Sequence, residues 1–454
     1  MTMSRSRQVH VASSVDAYWS HAIQQRRRFE MGLLVGQSGV LSACDTVLAA
    51  TQVPAECEDE AVASFEDVSS DWVCDVAKQV DRMLPGGIKI LGLYVISASD
   101  PRSVMDQASC YLRAIAEAVA IPTEFQSGLE TDDVQCIVHI SPSNSKRVAK
   151  SFWNLLDAAK TAANPAELKS PSTASCLETT QYTATIAIDQ LLSFAHLKVA
   201  TEQPVDPTVV IEKRVDEARQ QLLPFVQRIW HARGIKSRQT ESSSQRIDFL
   251  ASFGATSSSA ASKEPVNSTG RCQGVIECTA FVPADETSRP VDLAVLYLKQ
   301  DFVKSLLVRI ELLLERWTDD SIVGSATQSR TFLKGSRVVL PKRALLPWHS
   351  GVTTFSEALR LSLHIFPDDH AIDAAQNALE ILGATQESEV DEAQLEWLED
   401  DSKPHAHSTQ SFTATSATQA AGLVATASPS SSNTLFVLLP VALLLLALIM
   451  QFLR

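Results

Sequence analysis

The chain is short of positive charge. Its 454 residues hold 39 Lys and Arg against 53 Asp and Glu, a formal net charge of −14, so its overall field repels phosphate backbones and anionic headgroups and nucleic acid is not an expected partner. A disulfide framework is also lacking. The eight cysteines (Cys44, Cys57, Cys74, Cys110, Cys136, Cys176, Cys272, Cys278) are sparse and none forms a C-x-x-C pair, which predicts reduced, mostly buried thiols. No signal peptide is read at the start, because no uninterrupted apolar run with a small-residue cleavage site follows Arg5 and Arg7. The usual catalytic signatures are missing as well: there is no H-E-x-x-H, no G-x-x-x-x-G-K-[ST], no G-x-G-x-x-G after a strand and no G-x-S-x-G. His405 and His407 have the spacing of two zinc ligands but no third ligand beside them, and no metal or other cofactor is expected.

What the chain does contain is a globular composition, 45% apolar and 20% charged, and one long apolar run. Leu435 to Leu453 has Gln451 as its one polar side chain. As a helix it would be about 28 Å long, close to the roughly 27 Å hydrocarbon core of an endoplasmic reticulum bilayer. The expectation is a single transmembrane helix, marked by Leu435, Pro440, Leu443, Leu446 and Leu453, with Pro440 needing local adjustment one turn inside. With only Arg454 after it, the span is expected to insert post-translationally as a tail anchor. The bulk of the chain then stays in the cytosol. A lipid-anchor signal looks similar, but it requires an N-terminal signal peptide.

Composition and periodicity predict an α/β protein of two strand-helix-strand units. In the first, Phe29 to Gln37 reads as a buried strand, Ser38-Gly39 as a turn and Val40 to Ala50 as a second strand. Ser69-Ser70-Asp71 supplies an N-cap to a helix whose apolar face is Trp72, Val76, Val80, Met83 and Leu84, and Pro85-Gly86-Gly87 stops it. Ile88 to Ser97 is a central strand buried on both faces. Val134 to Ile140 and Tyr182 to Ile188 read as strands, and Val209 to Trp230 as a helix interrupted at Pro224. In the second unit Gly274 to Val282 is extended. Val295, Leu298, Phe302, Leu306, Ile310, Leu313 and Trp317 mark a long amphipathic helix, and Val338 to Leu346 is extended again.

The expected organisation is an α/β domain over 1–200, a helical connection over 201–253, a flexible Ser-rich loop over 254–270 and a second α/β unit over 271–385. A tether over 386–433, acidic then Ser/Thr/Ala-rich, and the anchor over 434–454 complete it. Within the acidic stretch, Leu395, Trp397 and Leu398 leave room for a short partner-binding helix. Other features have plain structural readings. Cys272 and Cys278 share one strand face as core thiols, Arg26-Arg27-Arg28 is a solvated strand start, and His139 is a core histidine.

The stretch FEMGLLVG, a helix and then ILGLYVIS resembles the JAMM/MPN metalloprotease domain. By that resemblance, Phe29 stands where active members carry the general-base Glu, and Val95 and Ser97 stand where they carry two metal-binding His. Ser103-x-x-Asp106 is a loose echo of the third element. Glu30 cannot replace the base, since one step along a strand points to the opposite face. The first unit is therefore expected to be MPN-like and non-catalytic.

A closer resemblance is carried by GLLVGQ at Gly32 to Gln37, DWVCDVAKQVDRMLPGGIKILGLYVIS at Asp71 to Ser97, CQGVIECTAFV at Cys272 to Val282 and the C-terminal span. These together resemble the odorant response abnormal protein 4 family. The resemblance implies a membrane-anchored endoplasmic reticulum protein that assists folding or trafficking of a subset of G-protein-coupled receptors, odorant receptors in particular. It also implies a partner, the cysteine protease specific for the ubiquitin-fold modifier. On this reading the chain is a non-enzymatic adaptor, held to the bilayer by its C-terminal helix. Its expected partner-binding residues are Gly32, Leu33, Leu34, Gly36, Trp72, Arg82, Met83, Leu84, Pro85, Gly86 and Gly87. The rival is a membrane-anchored hydrolase or peptidase acting on modified proteins, for which Cys74, Cys110 or Cys136 would supply the thiolate.

Overall fold

The computed structural model describes residues 7–25, 27–39, 44–56, 62–120, 134–157, 161–169, 179–195, 207–239, 244–250, 266–283, 290–323, 334–337, 340–347, 360–366, 369–382, 391–392 and 397–398. They form a mixed α/β fold. The chain begins with β1 (Arg7–Val11), α1 (Ser13–Gln24), β2 (Phe29–Ser38), β3 (Cys44–Gln52), α2 (Ser70–Met83), β4 (Lys89–Ser97), α3 (Pro101–Val119), β5 (Val134–Ile140), β6 (Arg147–Trp153) and β7 (Ala162–Lys169). These strands close on themselves in the order β1-β3-β2-β4-β5-β6-β7, with β1 pairing β7. β4 and β5 run parallel, which requires the α3 crossover between them.

The apolar runs of β2 and β4 are explained by burial on both faces. Phe29, Met31, Leu33, Leu93 and Val95 join a core with α2 and α3, while Leu34, Tyr94 and Ile96 join a second core with Val15 and Trp19 of α1. α2 starts as expected, the Ser69 hydroxyl accepting from the Trp72 amide. Its buried face is Val73, Val76, Ala77, Val80 and Met83, so it is turned slightly from the expected stripe. Trp72 is left half-buried, its Nε1 donating to the Pro54 carbonyl at 2.9 Å.

The rest of the described chain comprises β8 (Thr179–Ala195), α4 (Pro207–His231), β9 (Arg233–Gln239), β10 (Gln245–Leu250), β11 (Val266–Pro283), α5 (Pro290–Val323), β12 (Lys334–Arg337), β13 (Lys342–Pro347), β14 (Arg360–Ile365), α6 (Ala371–Ile381), β15 (Asp391–Glu392) and β16 (Trp397–Leu398). The second sheet has the order β12-β11-β8-β10-β9, and β14-β13-β15 form a third. Along β8, Tyr182, Ala184, Ile186 and Ile188 point into a core with α4 and α5. Leu298, Phe302, Leu306, Ile310 and Leu313 of α5 are buried there as the period predicts.

Four expectations change. β8 lies inside the span assigned to the first domain, yet pairs along its length with β11. β11 itself begins at Val266, inside the expected Ser-rich loop. α4 runs through Pro224 without a break, because Leu222, Phe225, Val226 and Ile229 hold that turn against the core and offset the hydrogen bond that proline cannot donate. Parts of the expected tether pair with the folded unit: Asp391–Glu392 with β13, and Trp397–Leu398 with β11 at Val275 and Gly274. Among the described residues no helix is long and apolar enough to cross a membrane; Leu435, Pro440, Leu443, Leu446 and Leu453 lie outside them.

Candidate functional site

β2 and β4 bring the degenerate positions together, Phe29 opposite Ser97 and Met31 opposite Val95. Phe29 and Val95 are packed in the core. Ser97 is buried, and its carbonyl lies 3.1 Å and its hydroxyl 3.3 Å from His139 Nε2. Burial holds the His139 pKa below its ordinary value, and its Nδ1 has no partner among the described residues. Ser103 and Asp106 sit exposed on α3. Neither Phe29 nor Val95 carries a group that takes a proton or coordinates a metal ion.

Glu30 projects to the opposite face from Phe29. Its carboxylate accepts from Tyr18 at 2.6 Å, from Tyr94 at 2.7 Å and from Arg27 at 2.5 Å, with the Glu30 side chain fully buried and Arg27 34% exposed. Burial raises the Tyr94 hydroxyl pKa well above its ordinary value, and burial followed by the Glu30 charge raises that of Tyr18, so both phenols remain donors. Two phenol donors and the Arg27 guanidinium hold the Glu30 carboxylate in place.

Beside this cluster is a cleft of about 210 Å³ between the start of β2, the end of β3 and the N-terminal turn of α2. Phe29, Met31, Val53, Val62 and Trp72 supply apolar wall, and Glu56 and Asp67 supply acidic groups. Asp67 is fixed by the Ala63 and Ser64 amides at 3.0 and 2.9 Å, which hold its pKa below the usual carboxylate range. The sequence reading did not single this cleft out. Its signal was the acidic residues that precede α2, which begins at Ser70.

The expected partner-binding residues are placed otherwise. Gly32, Leu33, Leu34 and Gly36 are interior to β2, and Met83, Leu84, Pro85 and Gly86 are buried too. A surface cannot be built from side chains without exposure; their apolar density reflects packing. The turn after α2 instead joins the two sheets. The Gly86 amide donates to the Thr279 carbonyl at 3.0 Å, and the Phe281 amide donates to the Gly86 carbonyl at 2.9 Å. A Cβ at Gly86 would stand 2.3 Å from the Tyr297 carbonyl oxygen, and Gly87 has φ +80 with the Phe281 oxygen 2.2 Å from such a Cβ. Arg82 pairs with Glu311 at 2.5 Å and Asp81 with Lys304 at 3.0 Å across the same junction. Trp72, half-exposed and lining the cleft, is the member of the expected set best placed to meet a partner.

The three cysteines considered for a thiolate lie apart in the fold. Burial raises the Cys74 and Cys136 pKa values, and Cys136 is fully buried in β5; Cys110 is exposed on α3. Cys272 and Cys278 are both buried in β11, with the Cys272 thiol pushed up to about 12. Among the described residues no three His, Cys, Asp or Glu side chains gather as a metal site.

A family model described as odorant response abnormal 4-like matches residues 32–393. The protein called odr-4 homolog from Xenopus tropicalis is 24% identical over 418 residues, covering 87% of this chain and 86% of the relative. Its Xenopus laevis counterpart is 25% identical over 416 residues, with 87% and 86% covered, and the human one is 23% identical over 395 residues, with 83% of each covered. Among solved structures, that of UfSP from C. elegans superposes with a TM-score of 0.37 at 9% identity, covering 83% of this chain and 57% of that one.

Proposed function

This chain belongs to the odorant response abnormal 4-like family, and from that premise we propose that it is a non-enzymatic adaptor tethered to the endoplasmic reticulum membrane. Its α/β head faces the cytosol, and the apolar segment from Leu435 to Leu453 holds it at the bilayer. There it assists folding or trafficking of a subset of G-protein-coupled receptors of the odorant-receptor type and recruits the cysteine protease specific for the ubiquitin-fold modifier. Anchoring raises the local concentration of the head around both kinds of partner without any new contact.

The observation that carries the non-enzymatic part is the filling of the three degenerate positions. Phe29 and Val95 are packed side chains, and Ser97 is buried against His139. Nothing at Phe29 or Val95 can activate water, which supports the non-enzymatic reading.

The test is removal of residues 434–454. The full chain should co-localise with a reticulum marker and bring receptor clients and the protease through affinity purification from membranes. The truncated chain should disperse in the cytosol and keep the protease while losing the receptors. A full-length chain that is diffuse in cells sinks the anchor, and stoichiometric labelling of Cys74, Cys110 or Cys136 by an activity probe would reinstate the hydrolase.

A further inference from the structure

The cleft beside Trp72 combines apolar walls with a negative rim. Glu56 and Asp67 line it and are exposed, and the described residues between Gln52 and Ala77 add Glu66, Asp71 and Asp75 and no Lys or Arg. Among the described residues no Lys or Arg lines the cleft; Arg27, next to Gln52, is engaged by Glu30 and by the Gln52 side chain at 2.9 Å, and Lys78 on α2 pairs with Asp75. A negative field over a partly apolar recess favours a cation whose stem is aliphatic.

The size narrows the occupant further. At about 210 Å³ the recess is below the roughly 300–1,000 Å³ of sites for drug-sized ligands, and it suits one long side chain. Its walls are held in place before anything binds. Trp72 is tied to the Pro54 carbonyl at 2.9 Å, the Val53 amide donates to the Met31 carbonyl at 3.0 Å, and Phe29 packs edge-on against Phe65 with ring centroids 5.1 Å apart. Little ordering is then left to oppose binding.

We propose that this cleft is a docking site for a single Arg or Lys side chain presented by an apolar and basic segment of a partner protein. The methylene stem lies against Met31, Val53, Val62 and Trp72, and the charged head meets Glu56 and Asp67. The proposal rests on the adaptor reading in one respect only, that the head has a protein partner. It does not depend on the membrane segment.

The test uses the full chain in detergent micelles, labelled with 5-fluorotryptophan and observed by fluorine NMR, the Trp72 resonance being assigned with Trp72→Phe. Three probes are titrated: N-acetyl-arginine methylamide, its citrulline analogue and N-acetyl-leucine methylamide. The arginine probe should shift the Trp72 resonance saturably, and the neutral citrulline probe should bind at least about threefold more weakly. Glu56→Gln, an exposed substitution that leaves the fold intact, should weaken the arginine probe by about two- to fivefold, and raising the salt should do the same. No saturable shift with arginine, or equal responses to arginine and leucine, overturns the proposal. A shift that depends on protein concentration alone would assign the cleft to a second copy of the chain and overturn it too. Co-purification of partners from membranes that is unchanged by Glu56→Gln removes this site while leaving the adaptor reading standing.

Discussion

The first sheet closes on itself, β1 pairing with β7, whereas β11 in the second sheet presents an outward edge that short strands cover only in part. β12 pairs it at Thr269 and Arg271, and β16 at Gly274 and Val275. Beyond that, side chains and a turn take the place of a strand. Arg343 donates to the Glu277 carbonyl at 3.0 Å, Asp301 accepts from the Thr279 amide at 2.9 Å, Gly86 satisfies Thr279 and Phe281, and Gln37 donates to the Phe281 carbonyl at 2.9 Å. Closure needs no such devices; an open edge does. Buried charge serves both regions: the Arg7–Asp45 pair joins β1 to β3 in the first, and in the second Asp301 of α5 reaches the β11 edge itself.

The largest effect should come from breaking the edge substitute. Asp301 and Arg343 pair at 2.8 Å with side chains 1% and 2% exposed. Asp301→Ala leaves a buried guanidinium and an unpaired Thr279 amide, and should lower unfolding free energy in urea by about 3–5 kcal/mol. If the loss is below about 1 kcal/mol, the edge is not held in this way.

Next is the turn that joins the sheets. Gly87→Ala places a Cβ at φ +80 against the Phe281 carbonyl, and the backbone strain alone should cost about 1–3 kcal/mol. Thermal melts of the full chain in detergent check it. A neutral result would mean that the turn can withdraw from β11 without loss.

Acid should separate the two regions as well. His364, whose Nε2 is 2.9 Å from the Ser305 hydroxyl, is held well below its ordinary pKa by burial first and then by Arg309, Arg343 and Arg82. The unfolded chain takes up that proton near pH 6.5 and the folded one only at lower pH. Stability is therefore full above about pH 6.5 and is lost as pH falls toward the folded pKa, with a slope of at most about 1.4 kcal/mol per pH unit for one group. His364→Gln should flatten the pH dependence of the urea midpoint. His139 in the first sheet is shifted in the same direction, by burial alone against Ser97 and Asp100, so His139→Gln should flatten it less.

This contrast also explains what could be read beforehand. β2, β4 and α2 were legible because each is governed by local rules: continuous apolar runs, a 3.6-residue stripe and a serine cap. The stripe on α5 was legible for the same reason. The roles of Lys299 and Asp301 were not, since a charge between apolar positions reads as solvated until Trp230, Ala232 and Thr279 are seen beside it. Pro85-Gly86-Gly87 announced a turn, but its partners lie nearly two hundred residues on, at Thr279 and Phe281. Part of the candidate site was legible: the strands that carry Phe29, Val95 and Ser97 were read from their apolar runs, and β2 and β4 do pair there. The cleft was not, because Glu56 and Asp67 acquire meaning only when β3 and α2 bring them to Trp72.

The smallest effect belongs to the cap that positions that tryptophan. The Ser69 hydroxyl is 3.4 Å from the Trp72 amide, a long bond at a partly exposed helix start, so Ser69→Ala should lower stability by about 0.5–1 kcal/mol. α2 has its first turn at the cleft and its last at the junction, where Arg82 and Asp81 reach α5. Loss of the cap frays the first turn and leaves the last one held by the second sheet. Ser69→Ala should thus weaken the arginine probe's effect on Trp72 more than it shifts the urea midpoint. A change confined to the midpoint would mean that α2 responds as a rigid unit, with its two ends coupled.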